Sequence, residues 1–317
     1  MACVEVTCSN FSNKYARING KKRRKVSRFM VLRSVVTVGF QRFTDIFLPW
    51  WPTLQDSWKW SSLLHRFGMG LSAFSFLRQS SADLCLDHSF QALDSSEKAV
   101  VSYWCGMALA KIVADTELEV PWLMHVDVLH KKGALILQGS TNERGDLVGL
   151  GKRDDWHVVE AKGRSNKYHR SLVEKARKQA ERIVRINDKK PATNSACITS
   201  LFTQPISVLL EDPPADGEEN GEQWNIRQDD FFRNYYGAII TYLRQFGASE
   251  RRFNTIFVTA PLAFFSPYLA NLEIGLLETI FNNPERAREF VRDLPRDLDE
   301  EGRVGSDGIA IFGELPE

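Results

Sequence analysis

Hydrophobic residues recur at helical spacing over residues 94–117, DSSEKAVVSYWCGMALAKIVADTE. The apolar stripe consists of Val101, Trp104, Ala108 and Ile112. Asp94 is a favourable N-cap residue, and Glu97 stands three positions later, as in a capping box. The pattern therefore predicts a capped helix with one buried face.

After Pro121 the pattern changes to short apolar runs, which are typical of strands. Strands are predicted for PWLMHVDVL, which begins at Pro121, and for GALILQG at 133–139. Two more flank the turn GKRDD, at 146–150 and 156–163, and the Gly and Asp residues of that turn favour a β-hairpin.

A second helix is predicted over 168–187, and the runs ACITSLF and ISVLLE predict two further strands. The buried side of the helix is marked by Leu172, Ala176, Ala180 and Ile183. Helix, strands with a hairpin, helix and strands together predict a compact α/β core with a mixed sheet over 91–211.

The two flanks of this core are less regular. Residues 1–90 show no clear period and stay unassigned, and their segment FLPWWPTLQDSWKW fits either a small helical cap or a poorly ordered leader. Residues 212–223 are rich in acids, Pro and Gly, which predicts a surface loop or linker. Over 224–317, two helices are predicted in DDFFRNYYGAIITYLRQFG and PYLANLEIGLLETIFNN, with short strands in NTIFVTAP and GIAIFGEL, so this region is expected to be mainly helical.

Composition narrows the class of protein. The chain has 317 residues, 43% hydrophobic and 26% charged, and its net charge of +1 gives no global attraction to nucleic acid. Five cysteines without a CxxC pair indicate reduced thiols rather than a disulfide framework or a zinc site. No secretory pattern or membrane-length apolar run is present, so a cytoplasmic location without membrane contact is expected. The basic run KKRRKV at 21–26 fits a solvated loop better than a nuclear-import patch.

Charged residues interrupt the second strand of the predicted hairpin, WHVVEAKG. Residues two apart on a strand point the same way, so Glu160 and Lys162 project from one face. Asp146 begins the partner strand, and a register that places it beside Glu160 is plausible. Two close carboxylates repel each other, and Mg²⁺, which prefers oxygen ligands, relieves that repulsion. A solvent-facing salt bridge between Glu160 and Lys162 is the simpler alternative.

Asp146 followed by VVEAKG resembles the D…(D/E)xK signature of the PD-(D/E)xK, or restriction-endonuclease-like, nuclease superfamily. The resemblance covers about 94–210. It implies a core of helix, mixed sheet and helix, and phosphodiester cleavage that depends on Mg²⁺ or Mn²⁺. It departs from the family pattern at Gly145, which replaces the proline of the motif.

Residue by residue, the resemblance implies specific roles. Asp146 and Glu160 would be metal ligands together with the carbonyl of Ala161, and Lys162 would position water or bind the scissile phosphate. The helix after the motif would contribute Lys175 and Gln179, which stand four apart on one face. Glu97 is a possible additional acid, although a capping-box role is at least as good an interpretation.

From 162 to 190 the chain holds eleven Lys or Arg residues and three acids, a composition that suits nucleic-acid phosphates. The predicted phosphate contacts are Arg164, Lys167, Arg170, Arg177 and Lys178. The alternative is a solvated helix face offset by the acidic loop.

We therefore expect a Mg²⁺- or Mn²⁺-dependent nuclease, with DNA favoured as the substrate, that serves restriction, repair or defence. A catalytically inactive nuclease-like fold that binds nucleic acid or protein is the alternative, and self-association stays open. His125 and Asp127 share a predicted strand face, and a core or supporting role suits them better than metal ligation. No GxSxG, Walker-type or dinucleotide motif occurs, which argues against a hydrolase elbow, an NTPase and a dehydrogenase.

Overall fold

The structure is a computed structural model that describes residues 1–38, 54–80, 82–131, 135–138, 145–212, 221–292, 294, 299 and 301–315. The described residues form a mixed α/β fold, which confirms the predicted class at that level. The strands are β1 (Ala2–Ser9), β2 (Gly20–Val26), β3 (Leu77–Ser80), β4 (Asp83–Leu86), β5 (Trp122–His125), β6 (Leu135–Gln138), β7 (Leu147–Leu150), β8 (Trp156–Arg164), β9 (Ile183–Ile186), β10 (Thr193–Ser200), β11 (Ser207–Glu211), β12 (Glu222–Ile226), β13 (Ala248–Arg252), β14 (Thr255–Pro261), β15 (Leu272–Leu277) and β16 (Ile309–Gly313). The α-helices are α1 (Arg28–Val38), α2 (Leu54–Ser75), α3 (Ser95–Leu118), α4 (Val126–Lys131), α5 (Arg170–Glu181), α6 (Gln228–Phe246), α7 (Glu278–Asn282) and α8 (Ala287–Arg292).

The main sheet has the strand order β3-β4-β1-β11-β10-β8-β7-β5, and β2 pairs with β1. β8 is antiparallel to β7 and parallel to β10, so the sheet is mixed. The predicted hairpin is therefore confirmed as β7 and β8, joined by the turn at 151–155.

Helices α3 and α5 cover opposite faces of this sheet. Ala161 of β8 shares a core cluster with Cys105 and Ala108 of α3. Ala196 of β10 packs with Ala176 of α5 in a separate cluster. Because side chains alternate along a strand, the face that carries Glu160 is the one beneath α5.

The predicted boundaries shift where tertiary pairing overrides local pattern. The helix expected over 168–187 ends at Glu181, and Ile183–Ile186 forms β9, which pairs with β12 and β6 in a three-stranded sheet. The β-branched residues of this segment suit a strand once a partner is present. The strand expected to run through VDVL ends at His125, and α4 follows.

The region from 224 onward differs from the mainly helical prediction. The helix predicted over DDFFRNYYGAIITYLRQFG is confirmed as α6. The helix predicted over PYLANLEIGLLETIFNN is confirmed only at its end, where Glu278–Asn282 forms α7, and it is wrong over Leu272–Leu277, which forms β15 in a four-stranded antiparallel sheet of β13, β14, β15 and β16. Apolar residues on both faces made this buried strand indistinguishable from a helix by periodicity alone.

Residues 1–90, unassigned from the sequence, extend the main sheet. β1 lies between β2 and β11, and the basic run at 21–26 belongs to β2 rather than to a loop. Of the acidic segment at 212–223, residues 213–220 lie outside the described residues, while Glu222 begins β12. All five cysteines are free thiols. Among the described helices, none combines the length and apolarity needed to cross a bilayer.

Candidate functional site

Asp146 and Glu160 meet across the β7–β8 hairpin. Leu147 pairs with Val159, so Asp146, one residue before β7, stands opposite Glu160. The backbone N–H of Asp146 donates to Oε2 of Glu160 at 3.0 Å. In return, the N–H of Ala161 donates to Oδ2 of Asp146 at 3.3 Å. These reciprocal hydrogen bonds hold the two carboxylates at one place.

The ammonium of Lys162 lies between these two carboxylates. Its Nζ donates to Oε1 of Glu160 and lies 3.7 Å from Oδ2 of Asp146. The Glu160 side chain is fully buried, whereas those of Asp146 and Lys162 keep 24% and 27% exposure. We call these three residues the carboxylate–lysine cluster; it opens to solvent on the side of Asp146 and Lys162.

The end of β7 explains how a sheet accommodates this charge. β8 continues beyond Val159 to Arg164, and within the described residues no strand pairs with this part on the β7 side. The N–H and C=O groups of one strand residue point to the same side. Because the N–H of Ala161 points to Asp146, its carbonyl also faces the cluster.

Burial and the neighbouring carboxylate change the ionisation of Glu160. Burial and the Asp146 carboxylate raise the pKa of Glu160, Lys162 lowers it, and the net value is about 7. For Lys162, burial alone lowers the pKa, but Asp146 and Glu160 together raise it above its ordinary value. The ammonium therefore stays protonated, and Glu160 exchanges its proton near neutral pH.

This ionisation predicts a pH-dependent stability in the absence of metal. An unfolded glutamate titrates near its ordinary value, about 4.3, and native Glu160 near 7. Between these values the native state holds the extra proton, so raising the pH is expected to lower the free energy of unfolding, by up to about 3 kcal/mol. Urea unfolding in EDTA at pH 5–8 measures the change.

Glu160→Gln provides the matched control, because glutamine keeps the shape without the titration. The difference between parent and variant isolates Glu160 from Asp212, whose pKa burial raises to about 6 in both proteins. Parallel pH curves for the two proteins would contradict the assigned ionisation.

The glycine after Lys162 brings helix α3 directly against β8. A Cβ atom on Gly163 would overlap the carbonyl oxygen of Ser102, and one on Gly106 would lie 2.6 Å from the nitrogen of Gly163. Only two glycines at this crossing allow so close an approach of helix and strand backbones. Gly163 thus fixes the position of Lys162 relative to α3.

The α5 residues carried over from the resemblance do not join the cluster directly. Lys175 is exposed. Gln179 is half-buried, and its Oε1 is buried without a hydrogen-bond donor among the described residues. Neither forms an ion pair or hydrogen bond with Asp146 or Glu160 within the described part of the chain. The unmatched Gln179 oxygen is available to a donor from water or a ligand.

The Glu97 side chain is part of the N-terminal cap of α3. Asp94 accepts hydrogen bonds from the N–H groups of Ser96 and Glu97, and the Glu97 carboxylate accepts from the N–H of Asp94 at 3.2 Å. The capping-box interpretation is thus confirmed, and the role of an additional acid in the cluster loses its support.

His125 and Asp127 do not share a strand face, since His125 ends β5 and Asp127 lies in the first turn of α4. The N–H of Asp127 donates to Nδ1 of His125 at 3.2 Å. The N–H of Val126 donates to the carbonyl of Asp146 at 3.0 Å, so this turn supports the start of β7.

The predicted phosphate-binding residues separate into two groups. Arg170 binds the buried carboxylate of Glu211 through two hydrogen bonds of 2.8 and 2.7 Å, and Arg177 binds it at 3.3 Å. The other three are exposed and make no ion pair within the described residues: Arg164, Lys167 and Lys178. Arg170 and Arg177 therefore serve the packing of α5, and the second group remains available to phosphates.

Arg170→Ala is expected to lower the free energy of unfolding by about 1–3 kcal/mol, because Glu211 would lose its bidentate partner while staying buried. Arg164→Ala, the control at an exposed unpaired cation, should change it by less than about 0.5 kcal/mol. Urea unfolding of both variants at pH 7 measures the contrast, and equal effects would show that the Glu211 ion pair has no special weight.

Sequence reasoning missed Tyr103 and Glu211. Burial raises the pKa of the Tyr103 hydroxyl, and the carboxylates of Asp146, Asp127 and Glu160 raise it further, so this hydroxyl lies near the cluster. Tyr103 gave no sequence signal, because it stands beside the apolar stripe of α3. Glu211 did give a sequence signal, since it is an acidic residue at the end of an apolar strand.

The donor set fits a small, hard cation. Two carboxylates and a backbone carbonyl face a position next to one ammonium, and Mg²⁺ commonly uses one or two carboxylates with water and substrate oxygens. Among the described residues, no group of three or more His, Cys, Asp or Glu side chains is arranged to hold a metal. Water and substrate would therefore supply most ligands of a bound ion.

The chain was compared with family models, with curated proteins and with solved structures. No family model matches it, and no curated protein or solved structure shows a significant similarity to it.

Proposed function

We propose that this protein is a nuclease that hydrolyses phosphodiester bonds with Mg²⁺ or Mn²⁺, and that DNA is its substrate. One observation carries the proposal: the carboxylates of Asp146 and Glu160 share a single ammonium at an open strand end. A restriction-endonuclease-like core is part of the proposal. Its support is that α3, the antiparallel strands β5, β7 and β8, and α5 follow the order helix, mixed sheet with hairpin, helix.

The metal would be held by Asp146, Glu160 and the carbonyl of Ala161. When bound, such an ion lowers the pKa of a water molecule and offsets the charge that grows on phosphate oxygens. Below its raised pKa, Glu160 carries a proton that a metal ion must displace, so metal affinity should increase as the pH passes about 7.

The protein's own groups orient the reactants. The attacking oxygen belongs to water, the bond that breaks joins phosphorus to the leaving oxygen, and that oxygen leaves with a proton. Because its neighbours raise the pKa of Lys162, its ammonium is a hydrogen-bond donor to water or a phosphoryl oxygen rather than a proton acceptor. The exposed cations Arg164, Lys167 and Lys178 would bind flanking phosphates. Gln179 would orient water or substrate through its unmatched oxygen.

A non-catalytic nucleic-acid-binding or protein-interaction module is the second candidate. It is favoured by the ion pairs that Lys162 forms with both carboxylates, since these offset much of their negative charge from within the cluster. In this alternative the cluster only stabilises the hairpin, and the free cations alone bind the partner.

The test is cleavage of plasmid DNA and of single-stranded DNA by the full chain in MgCl₂, in MnCl₂ and in EDTA. The nuclease proposal expects cleavage with metal, none in EDTA, and loss of cleavage in Asp146→Asn and Lys162→Ala, with circular dichroism confirming that both variants fold. Lys175→Ala is the control that should keep activity. Intact substrates with parent and variants alike, or cleavage that survives in Asp146→Asn, would reject the proposal.

A further inference from the structure

Two exposed aromatic side chains lie beside the strand end that carries the carboxylate–lysine cluster. Tyr103 is 39% exposed and Phe202 is 62% exposed. Single exposed apolar residues are ordinary on a protein surface. Two exposed aromatic residues near one charged site are a different matter, because both rings are available to a ligand bound there.

Tyr103 approaches from helix α3. It follows Ser102, whose carbonyl oxygen lies against Gly163 of β8, in the glycine-lined contact between helix and strand. The effect of Asp146 and Glu160 on its hydroxyl agrees with this placement. Tyr103 therefore stands on the α3 side of the cluster.

Phe202 follows β10, a strand that pairs with β8 in the sheet. Ser200 at the end of β10 pairs with Arg164 at the end of β8. The N–H of Leu201 then donates to the carbonyl of Arg164 at 2.8 Å, and Phe202 is the next residue. Tyr103 and Phe202 thus flank Gly163 and Arg164, the last two residues of the strand that holds Glu160 and Lys162.

Exposed cations occur at the same end of β8 and just after it. Arg164 and Lys167 are exposed and make no ion pair within the described residues. Arg170, three residues after Lys167, differs because it forms an ion pair with Glu211. Unpaired cations next to exposed rings complement a chain of phosphates that carries flat, accessible bases.

We propose that this end of β8 binds single-stranded nucleic acid, with bases stacked on Tyr103 and Phe202 and phosphates on Arg164 and Lys167. In a duplex the faces of the bases are covered by their neighbours and partner strand, whereas an unpaired strand can place them on aromatic side chains. The proposal rests on the proposed function, because it assigns the substrate class of the same site.

The experiment measures binding without cleavage. A single-stranded oligonucleotide that contains 2-aminopurine is titrated with the full chain in EDTA, as deoxyribose and ribose versions and as a duplex with its complement. The variants are Tyr103→Leu and Phe202→Leu, which keep apolar bulk and remove the ring. Tyr268→Leu is the control, since Tyr268 is 76% exposed on the turn Pro267–Leu269 of the C-terminal region.

The expected result is tighter binding of the single strand than of the duplex, with quenching of 2-aminopurine fluorescence. Each ring variant should weaken single-strand binding about 5- to 150-fold, and Tyr268→Leu should bind like the parent. The deoxyribose and ribose arms show which sugar is preferred. Equal binding of single strand and duplex, parent-like affinity in both ring variants, or no binding of any oligonucleotide would overturn the proposal.

The two proposals fail separately. If the protein cleaves duplex DNA and the ring variants bind with unchanged affinity, the proposed stacking surface is rejected and the proposed nuclease activity is supported. If single-strand binding depends on both rings but no cleavage occurs in Mg²⁺ or Mn²⁺, the stacking surface is supported and the nuclease activity is rejected. The protein would then be a nucleic-acid-binding module.

Discussion

Replacing Lys162 by methionine should reduce metal-dependent cleavage about 100- to 10,000-fold, the usual contribution of a positioned proton-transferring or hydrogen-bonding group. Methionine retains an unbranched apolar chain but removes the ammonium that lies between Asp146 and Glu160. Substrate binding should change much less, because the exposed phosphate-binding cations stay in place. The measurement is kcat and KM with saturating Mg²⁺, and the loss is expected in kcat.

The same variant should show how the cluster depends on a cation. Without Lys162, only the hydrogen bond from the backbone N–H of Asp146 opposes the effects of burial and of the Asp146 carboxylate on the pKa of Glu160, so that pKa should rise further. Lys162→Met should therefore lose stability more steeply with rising pH in EDTA, and Mg²⁺ should restore more stability to it than to the parent. Lys175→Met, on the exposed side of α5, is the control for loss of a lysine. If both methionine variants behave alike in activity and in metal response, Lys162 has no special role.

Gly163→Ala should be the most destabilising small substitution at this site, with a loss of at least about 3 kcal/mol in the free energy of unfolding. The added Cβ would overlap the backbone carbonyl oxygen of Ser102, which no side-chain rotation can move. Either α3 shifts away from β8 or the strand bends, and both changes displace Lys162. Activity at a temperature where the variant is still folded should also fall.

Gly68→Ala is the matched control for this substitution. Gly68 lies inside helix α2, and a Cβ at this position meets no atom of the described residues within 4 Å outside the helix's own backbone. Alanine there should stabilise the helix by about 0.5–1 kcal/mol, because glycine has the poorer helix propensity. Urea unfolding of both variants compares the free energy of unfolding for a glycine whose Cβ position is occupied by backbone with that for a glycine whose Cβ position is empty. A Gly163→Ala protein as stable as the parent would mean that α3 does not press on β8 as described.

Much of the central fold could be predicted from local pattern. The helix at Ser95–Leu118 with its capping box, the hairpin of β7 and β8, and helix α6 all follow from periodicity and end signals that act within a few residues. Two of the failures share one cause: β9 and β15 became strands because distant segments supply their hydrogen-bonding partners. A local sequence pattern cannot indicate a strand partner that lies tens of residues away in the chain.

The candidate site divides in the same way. The alternation of a strand placed Glu160 and Lys162 on one face, and the hairpin brought Asp146 opposite, so these three could be found by reading the chain. The different behaviour of similar arginines could not be read from the sequence: Arg164 forms no ion pair in the part of the chain that the structure describes, whereas Arg170 is bound to Glu211 on β11. Lys175 and Gln179 have the right spacing on α5, yet neither contacts the carboxylates within the described residues.

The sequence by itself determined which residues carry the chemistry and which short elements hold them, because strand alternation and helix capping depend only on near neighbours. The tertiary structure alone decided that Glu160 is buried, that Gly163 touches α3, that two arginines neutralise Glu211, and that Tyr103 and Phe202 flank one strand end. The physical reason is that burial, ion pairing and pKa depend on through-space distances between segments far apart in the chain, and only the folded chain fixes those distances.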